Sequence, residues 1–287
     1  MATSPPRILG EPSIMPFAKY HGAGNDYILV DAVSAPERLE LAEALAKPIS
    51  DRHRGIGGDG LIVLSSTPDA DFRMHMWNAD GSRGALCGNG LRCLARFTHD
   101  LGFTESERFR IASDSGVHEV QLLRSDDGSI NAVRITIDLI SIDTEPVAIE
   151  IDGSVHQFIT GSAGNPHAVL FTSADPESFD LPRIGMVLQS SARFPDGVNV
   201  EIVQAHHSDV LVQRTFERGS GETEACGSGA TFAVGAAIAL GHVQGPTVTV
   251  RLRGGNLRIT KHADKFSLEG PVARVFVGEF PIGTAFA

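Results

Sequence analysis

The sequence matches itself at a nearly constant offset, and that property restricts the fold more than any local propensity does. Ala23-Gly24-Asn25, followed by Tyr27-Ile28-Leu29-Val30, resembles Ala163-Gly164-Asn165, followed by His167-Ala168-Val169-Leu170, at an offset of 140 residues. Cys87-Gly88-Asn89-Gly90 resembles Cys226-Gly227-Ser228-Gly229 at an offset of 139, and Asp59-Gly60-Leu61 resembles Asp196-Gly197-Val198 at 137. Three matches in one order at one spacing imply a duplicated unit. A chain of 287 residues has room for two halves of that size, each with its own core.

Short alternating segments at 27–30, 61–64, 72–77, 109–112, 117–123 and 133–137 predict strands in the first half, and 247–252, 257–260 and 272–277 close the second. Ser34 and Glu37 have capping-box spacing, and Leu41, Ala42, Leu45 and Ile49 predict a helix ending near Pro48. Only Asn89–Leu101 and Ser228–Leu240 read otherwise as firm helices. Both are apolar on nearly every face, which predicts buried helices wrapped by strands. Residues 1–15, with three prolines, read as an arm ahead of the first strand.

Charge and cysteine usage narrow the function. Lys and Arg number 24 against 35 Asp and Glu, a net charge of −11 that repels phosphate backbones and disfavours nucleic acid as a partner. Three cysteines without a Cys-x-x-Cys pair argue against a disulfide framework or a zinc ribbon, and no histidine spacing suggests a metal site. The N-terminus lacks the apolar core of a secretory signal, and the low-polarity run Ala230–Gly241 is too short to span a bilayer. A cytoplasmic protein without membrane partners is expected. Gly55-Ile56-Gly57-Gly58-Asp59-Gly60 fits G-x-G-x-x-G but follows a helix and precedes a strand, the reverse of the dinucleotide-binding order.

The two Cys-Gly-x-Gly sequences carry the chemistry. Glycines opening a helix directly after a cysteine leave unpaired N–H groups aimed at whatever sits there, and the helix dipole favours an anion. One such motif fits a packing role as well as a reactive thiol; two copies related by duplication favour the thiol. A cysteine from each half, on facing walls of a cleft, is what inversion of a stereocentre without a cofactor needs: one thiolate removes a proton, and the opposing thiol delivers one to the other face. With each sulfur within roughly 3.5 Å of the carbon, the two are at most about 7 Å apart, so oxidation of the empty site to a Cys87–Cys226 disulfide is expected. Cys93 lies six residues beyond Cys87, about 240° round a helix, and is expected in the core.

Lys19–Asp26, Trp77–Ser82, Cys87–Gly90, Gly164–His167, Phe194–Asn199 and Glu217–Ala230 stand in the order seen in diaminopimelate epimerases, which the chain resembles from about Pro16 to its C-terminus. The resemblance implies an α/β (α+β) fold of two pseudo-symmetric halves, each a mixed β-sheet or barrel-like layer wrapped round a central apolar helix, with the last strands crossing back. The halves are then 16–131 with 274–287, and 132–273. It implies a cofactor-independent, homodimeric epimerase interconverting LL- and meso-2,6-diaminopimelate for lysine and peptidoglycan precursors. By position, Cys87 and Cys226 match the acid/base cysteines, and His167 and Glu217 the groups that tune them. Asn25, Asn78, Asn165, Asn199, Glu217 and Arg218 match substrate contacts, Arg218 as the fork for the distal carboxylate. Gly88, Asn89, Gly227 and Ser228 match backbone donors to the carboxylate at the reacting carbon. A racemase of another amino acid, such as histidine, would use the same cysteine pair, but Arg218 and the asparagine set favour a second carboxylate. Two positions depart from the pattern: Gly60 stands where some members have Gln, and Phe276 where some have a dimer-contact Tyr.

Overall fold

The computed structural model describes residues 13–138 and 140–282. The first half runs β1 (Ser13–Gly22), β2 (Asn25–Asp31), α1 (Glu37–Ser50), β3 (Gly60–Ser65), β4 (Phe72–Asn78), β5 (Arg83–Gly84), α2 (Gly88–Asp100), β6 (Arg108–Ser113), β7 (Gly116–Arg124) and β8 (Ile130–Asp138). After β9 (Ser141–Ile151) the same order returns. It runs β10 (Ser154–Ser162), β11 (Pro166–Thr172), α3 (Leu181–Gln189), β12 (Asn199–His207), β13 (Val210–Glu217), β14 (Gly221–Thr223), α4 (Gly227–Ala239), β15 (Thr247–Leu252), β16 (Gly255–Lys261) and β17 (Lys265–Pro271). β18 (Ala273–Ile282) closes the chain's described part.

Strand pairing repeats as well. β2 and β3 are parallel, as are β11 and β12; β4 is parallel to β6, as β13 is to β15; the remaining neighbours within each half are antiparallel. The two extra strands each join the sheet of a half: β9 pairs with β10, and β18 returns to β1. The halves meet where β8 lies antiparallel to β17. The architecture is thus two pseudo-symmetric mixed sheets, each wrapped round one helix.

One continuous core surrounds α2 and α4, and two outer clusters lie beneath α1 and α3. Strand alternation makes this division. Ile28 and Val30 face α1 while Tyr27 and Leu29 face α2; Ala168 and Leu170 face α3 while Val169 faces α4. β2, β3, β11 and β12 are therefore covered on both faces, as parallel pairs require.

Three expectations change. Residues 13–15, assigned to the arm, belong to β1 and pair with residues 280–282; residues 1–12 lie outside the described residues. β8 runs unbroken from Ile130 to Asp138 and pairs with β7 on one side and β17 on the other, and β18 begins at Ala273. α1 starts without its Ser34–Glu37 box, because Asp31 accepts from the amides of Val33 and Ser34. Finally, α2 is not apolar all round: Arg96, His99 and Asp100 are half-buried at its C-terminal end, and Arg92 is fully buried. α3 is a helix the sequence reading missed, although Asp180 caps it by accepting from the Arg183 amide.

Candidate active site

Cys87 and Cys226 occupy equivalent places, as the N-cap residues of α2 and α4. The Gly229 amide donates to Cys226 Sγ at 3.4 Å, and Ser228 Oγ lies 3.4 Å from the same sulfur. The amides of Asn89 and Gly90 lean toward Cys87 and favour its thiolate, although neither closes a cap hydrogen bond. Burial outweighs those donors at both thiols. It pushes Cys87 above the ordinary thiol range, and pushes Cys226, which also faces Glu217 and Glu201, well above it. Cys93 is buried in the core, as its place on the helix predicts, and its thiol is pushed up to about 12 by the same desolvation.

The Asn89 side chain bridges the two helix starts. Its Nδ2 donates to the Ala225 carbonyl at 2.9 Å, next to Cys226, and to Asn25 Oδ1 at 2.7 Å, while its Oδ1 accepts from Arg92 Nη2 at 2.7 Å. Asn25 Nδ2 in turn donates to Asp59 Oδ2 at 3.1 Å. Asn25 and the Asn89 side chain therefore already have protein partners, and the Asn89 amide is the group that leans toward Cys87.

On the Cys226 side, Glu217 hydrogen-bonds to the thiol and accepts from Thr223 Oγ1 at 2.6 Å; burial holds its carboxyl above the usual range. His167 is fully buried and stacked on Phe232. Its Nδ1 faces Glu201 Oε1 at 2.8 Å and its Nε2 faces Asn165 Oδ1 at 3.0 Å. Glu201, which the sequence reading missed, is buried on the neighbouring β12 and crowds α4: a Cβ on Gly229 would lie 2.3 Å from its Oε1. A glutamate one strand residue from an even-numbered apolar face (Val200, Ile202) and inside a sheet was the available signal.

Asn199 Oδ1 accepts from the Arg218 amide at 2.8 Å, and Arg218 Nη1 donates to the Asp196 carbonyl at 2.8 Å, leaving an exposed guanidinium with further donors. Gly197, at φ +74°, lets that side chain pass, since a Cβ there would lie 2.8 Å from Arg218 Cδ. Asn78 donates to Ser82 Oγ at 3.0 Å and sits opposite Gly60 in the sheet. A side chain at Gly60 would meet the Trp77 carbonyl at 2.2 Å, so position 60 offers the site backbone only.

The family model described as diaminopimelate epimerase matches residues 17–135 and 159–275. The chain belongs to the diaminopimelate epimerase family. It is an isomerase by that membership. The diaminopimelate epimerase of Leptospira biflexa is 38% identical over 280 residues, covering 93% of this chain and 99% of the relative. That of Methanococcus maripaludis (strain C5) is 36% identical over 282 residues, covering 93% and 100%. Among solved structures, a hydroxyproline epimerase from Agrobacterium vitis superposes with a TM-score of 0.70 at 16% identity, covering 93% of this chain and 92% of that one. A PhzF-family protein from Bacillus anthracis also reaches 0.70 at 16% identity, covering 94% and 100%. These two share the fold of the family; their identity to this chain is too low to speak to substrate.

Proposed function

We propose that the chain interconverts LL-2,6-diaminopimelate and meso-2,6-diaminopimelate without a cofactor, using Cys87 and Cys226 as a two-base pair. One sulfur, as thiolate, takes the proton from the stereocentre and becomes a thiol. The electron pair left on carbon delocalises into the adjoining carboxylate. The opposing thiol gives its proton to the other face and becomes the thiolate, and the roles exchange in the reverse direction.

The observation that carries this reading is the mirrored placement of the two cysteines at the heads of α2 and α4, whose starts are bridged by Asn89. The burial that raises both thiols supports it, because a thiolate formed in such a setting is a stronger base toward a weak carbon acid. Backbone donors at Gly88, Asn89, Gly227 and Ser228 suit the carboxylate that accumulates charge. Arg218 takes the distal carboxylate with the donors that Asp196 leaves free, and Asn25, Asn78, Asn165 and Asn199 supply amide contacts. Glu217 and His167 set the environment of Cys226.

In D2O the enzyme should place solvent deuterium at the inverted carbon, and Cys87→Ala and Cys226→Ala should each abolish inversion. Full turnover by either variant would overturn the mechanism; racemisation of histidine with none of diaminopimelate would favour the alternative substrate.

The same reading makes it a cytoplasmic enzyme of lysine and peptidoglycan-precursor synthesis, and a homodimer. Ile14, Val275, Phe276 and Val277 form an exposed apolar patch on β1 and β18, which pair antiparallel. A monomer mass in sedimentation equilibrium would remove the dimer.

A further inference from the structure

The two halves are not electrostatic copies of one another. In the parallel pair β2–β3, Tyr27 lies opposite Gly60; in the parallel pair β11–β12, His167 lies opposite Asn199. The next strand sets Gly60 against Asn78, and the register pairing Val200 with Phe216 brings Asn199 beside Glu217. The duplication thus equates Tyr27 with His167 and Asn78 with Glu217, as it equates Cys87 with Cys226. Cys226 faces the carboxylates of Glu217 and Glu201; beside Cys87, in the place that the repeat gives to His167, stands a phenol.

That phenol touches the thiol. Tyr27 Oη lies 2.9 Å from Cys87 Sγ, on a ring only 3% exposed and turned inward by strand alternation. We propose that Tyr27 is the positioning residue for Cys87, its hydroxyl donating to the sulfur and stabilising the thiolate, where the other half sets carboxylates that disfavour one. This rests on reading Cys87 as an acid/base residue.

The physical basis is the difference in acidity across the contact. Burial first, then the neighbouring Cys87, holds the phenol well above its ordinary range, so the hydroxyl keeps its proton when the thiol loses one. A donor to an ionised sulfur is worth about twice one to a neutral partner. When Cys87 is protonated, Oη can accept from S–H, so one contact fixes the sulfur in both states.

The other groups facing Cys87 do not supply this. Arg92 and Cys93 share its helix; the Arg92 cation favours the thiolate, but its one side-chain hydrogen bond among the described residues goes to Asn89. Glu217, from β13, disfavours the thiolate. Asp59, ahead of β3, acts on Tyr27 and is bonded to Asn25 and Arg52. Lys19 of β1 is held by Asp26, and β8 presents Ile135 at Gly88.

Tyr27→Phe removes the hydroxyl and keeps the ring. Alkylation of Cys87 by iodoacetamide, followed by peptide mass spectrometry from pH 6 to 10, reads the thiolate without requiring turnover, with Cys226 as the control in the same molecule. The expected result is a Cys87 profile displaced to higher pH, with reaction at pH 8 slowed roughly tenfold, and an unchanged Cys226 profile and melting temperature. A Cys87 profile that superimposes on wild type overturns the proposal, as does an equal displacement of both cysteines. Should the full-length enzyme lack epimerase activity while Tyr27→Phe still displaces Cys87 alone, the functional reading fails and the contact stands.

Discussion

Replacing Asn89 by alanine should damage stability and catalysis together, because one buried amide holds three partners. The side chain is 2% exposed and makes bonds of 2.7, 2.7 and 2.9 Å to Arg92, Asn25 and the Ala225 carbonyl. Two are bonds between neutral groups, worth about 1 kcal/mol each, and the third is to a guanidinium, worth about 2 kcal/mol. Arg92 sharpens the loss. It is fully buried, its Nε and Nη1 have no partner among the described residues, and the bond to Asn89 is its remaining hydrogen bond. The expected cost is about 4 kcal/mol, which lowers the melting temperature of a chain this size by about 10 °C. Asn89→Asp separates the effects. A carboxylate gives Arg92 a counter-charge and restores much of the stability, but sets an oxygen against the Ala225 carbonyl and a negative charge beside the Cys87 helix start. Thermal unfolding with steady-state epimerisation measures both. Asn89→Ala melting within about 2 °C of wild type, or Asn89→Asp retaining full activity, would refute the reasoning.

Glu217→Gln removes the carboxylate that, after burial, does most to disfavour the Cys226 thiolate, so Cys226 should be alkylated faster at fixed pH while Cys87 changes less; slower alkylation of Cys226 would contradict the sign. Both thiols are raised by burial, so for the free enzyme kcat/KM should rise from neutral toward alkaline pH; a plateau extending down to pH 6 would show that the thiols ionise more readily than their surroundings allow. Peroxide should inactivate the enzyme reversibly through a Cys87–Cys226 disulfide, which reductant restores; inactivation with no such linked peptide by mass spectrometry would exclude it.

The fold was legible chiefly through its duplication, and the reading fell short where that repeat was not followed through. α1 was recognised from its own periodicity; moving its span by the 140-residue offset lands on α3, whose Pro182 and Gly185 look like breakers in isolation. Pro182 is tolerated in the first turn, and Gly185 is needed because a Cβ there would meet the Phe216 ring at 2.3 Å. β8 pairs both with β7 and across to β17, and such pairing has no local signature. At the site, both cysteines and the residues around them were legible as motifs. Glu201 and Tyr27 were not, because each reads as one more strand residue until alternation and the neighbouring helix show which way it faces.

Duplication supplies two thiols in matched positions, but matched surroundings would give them equal acidity, and a single proton could then be shared without preference. This chain breaks the match. Cys226 has two carboxylates, Glu217 and Glu201, that oppose its ionisation; Cys87 feels Glu217 but also has a phenol and a buried guanidinium that favour its thiolate. The more strongly opposed thiol, Cys226, is the harder of the two to ionise, so on the two-base reading proposed above Cys87 is the first to lose its proton as the pH rises. The bias needs no difference in backbone between the halves. It comes from four differences laid on one repeated frame: Tyr27 stands in the register of His167, Gly60 of Asn199, Asn78 of Glu217, and Ile62 of Glu201.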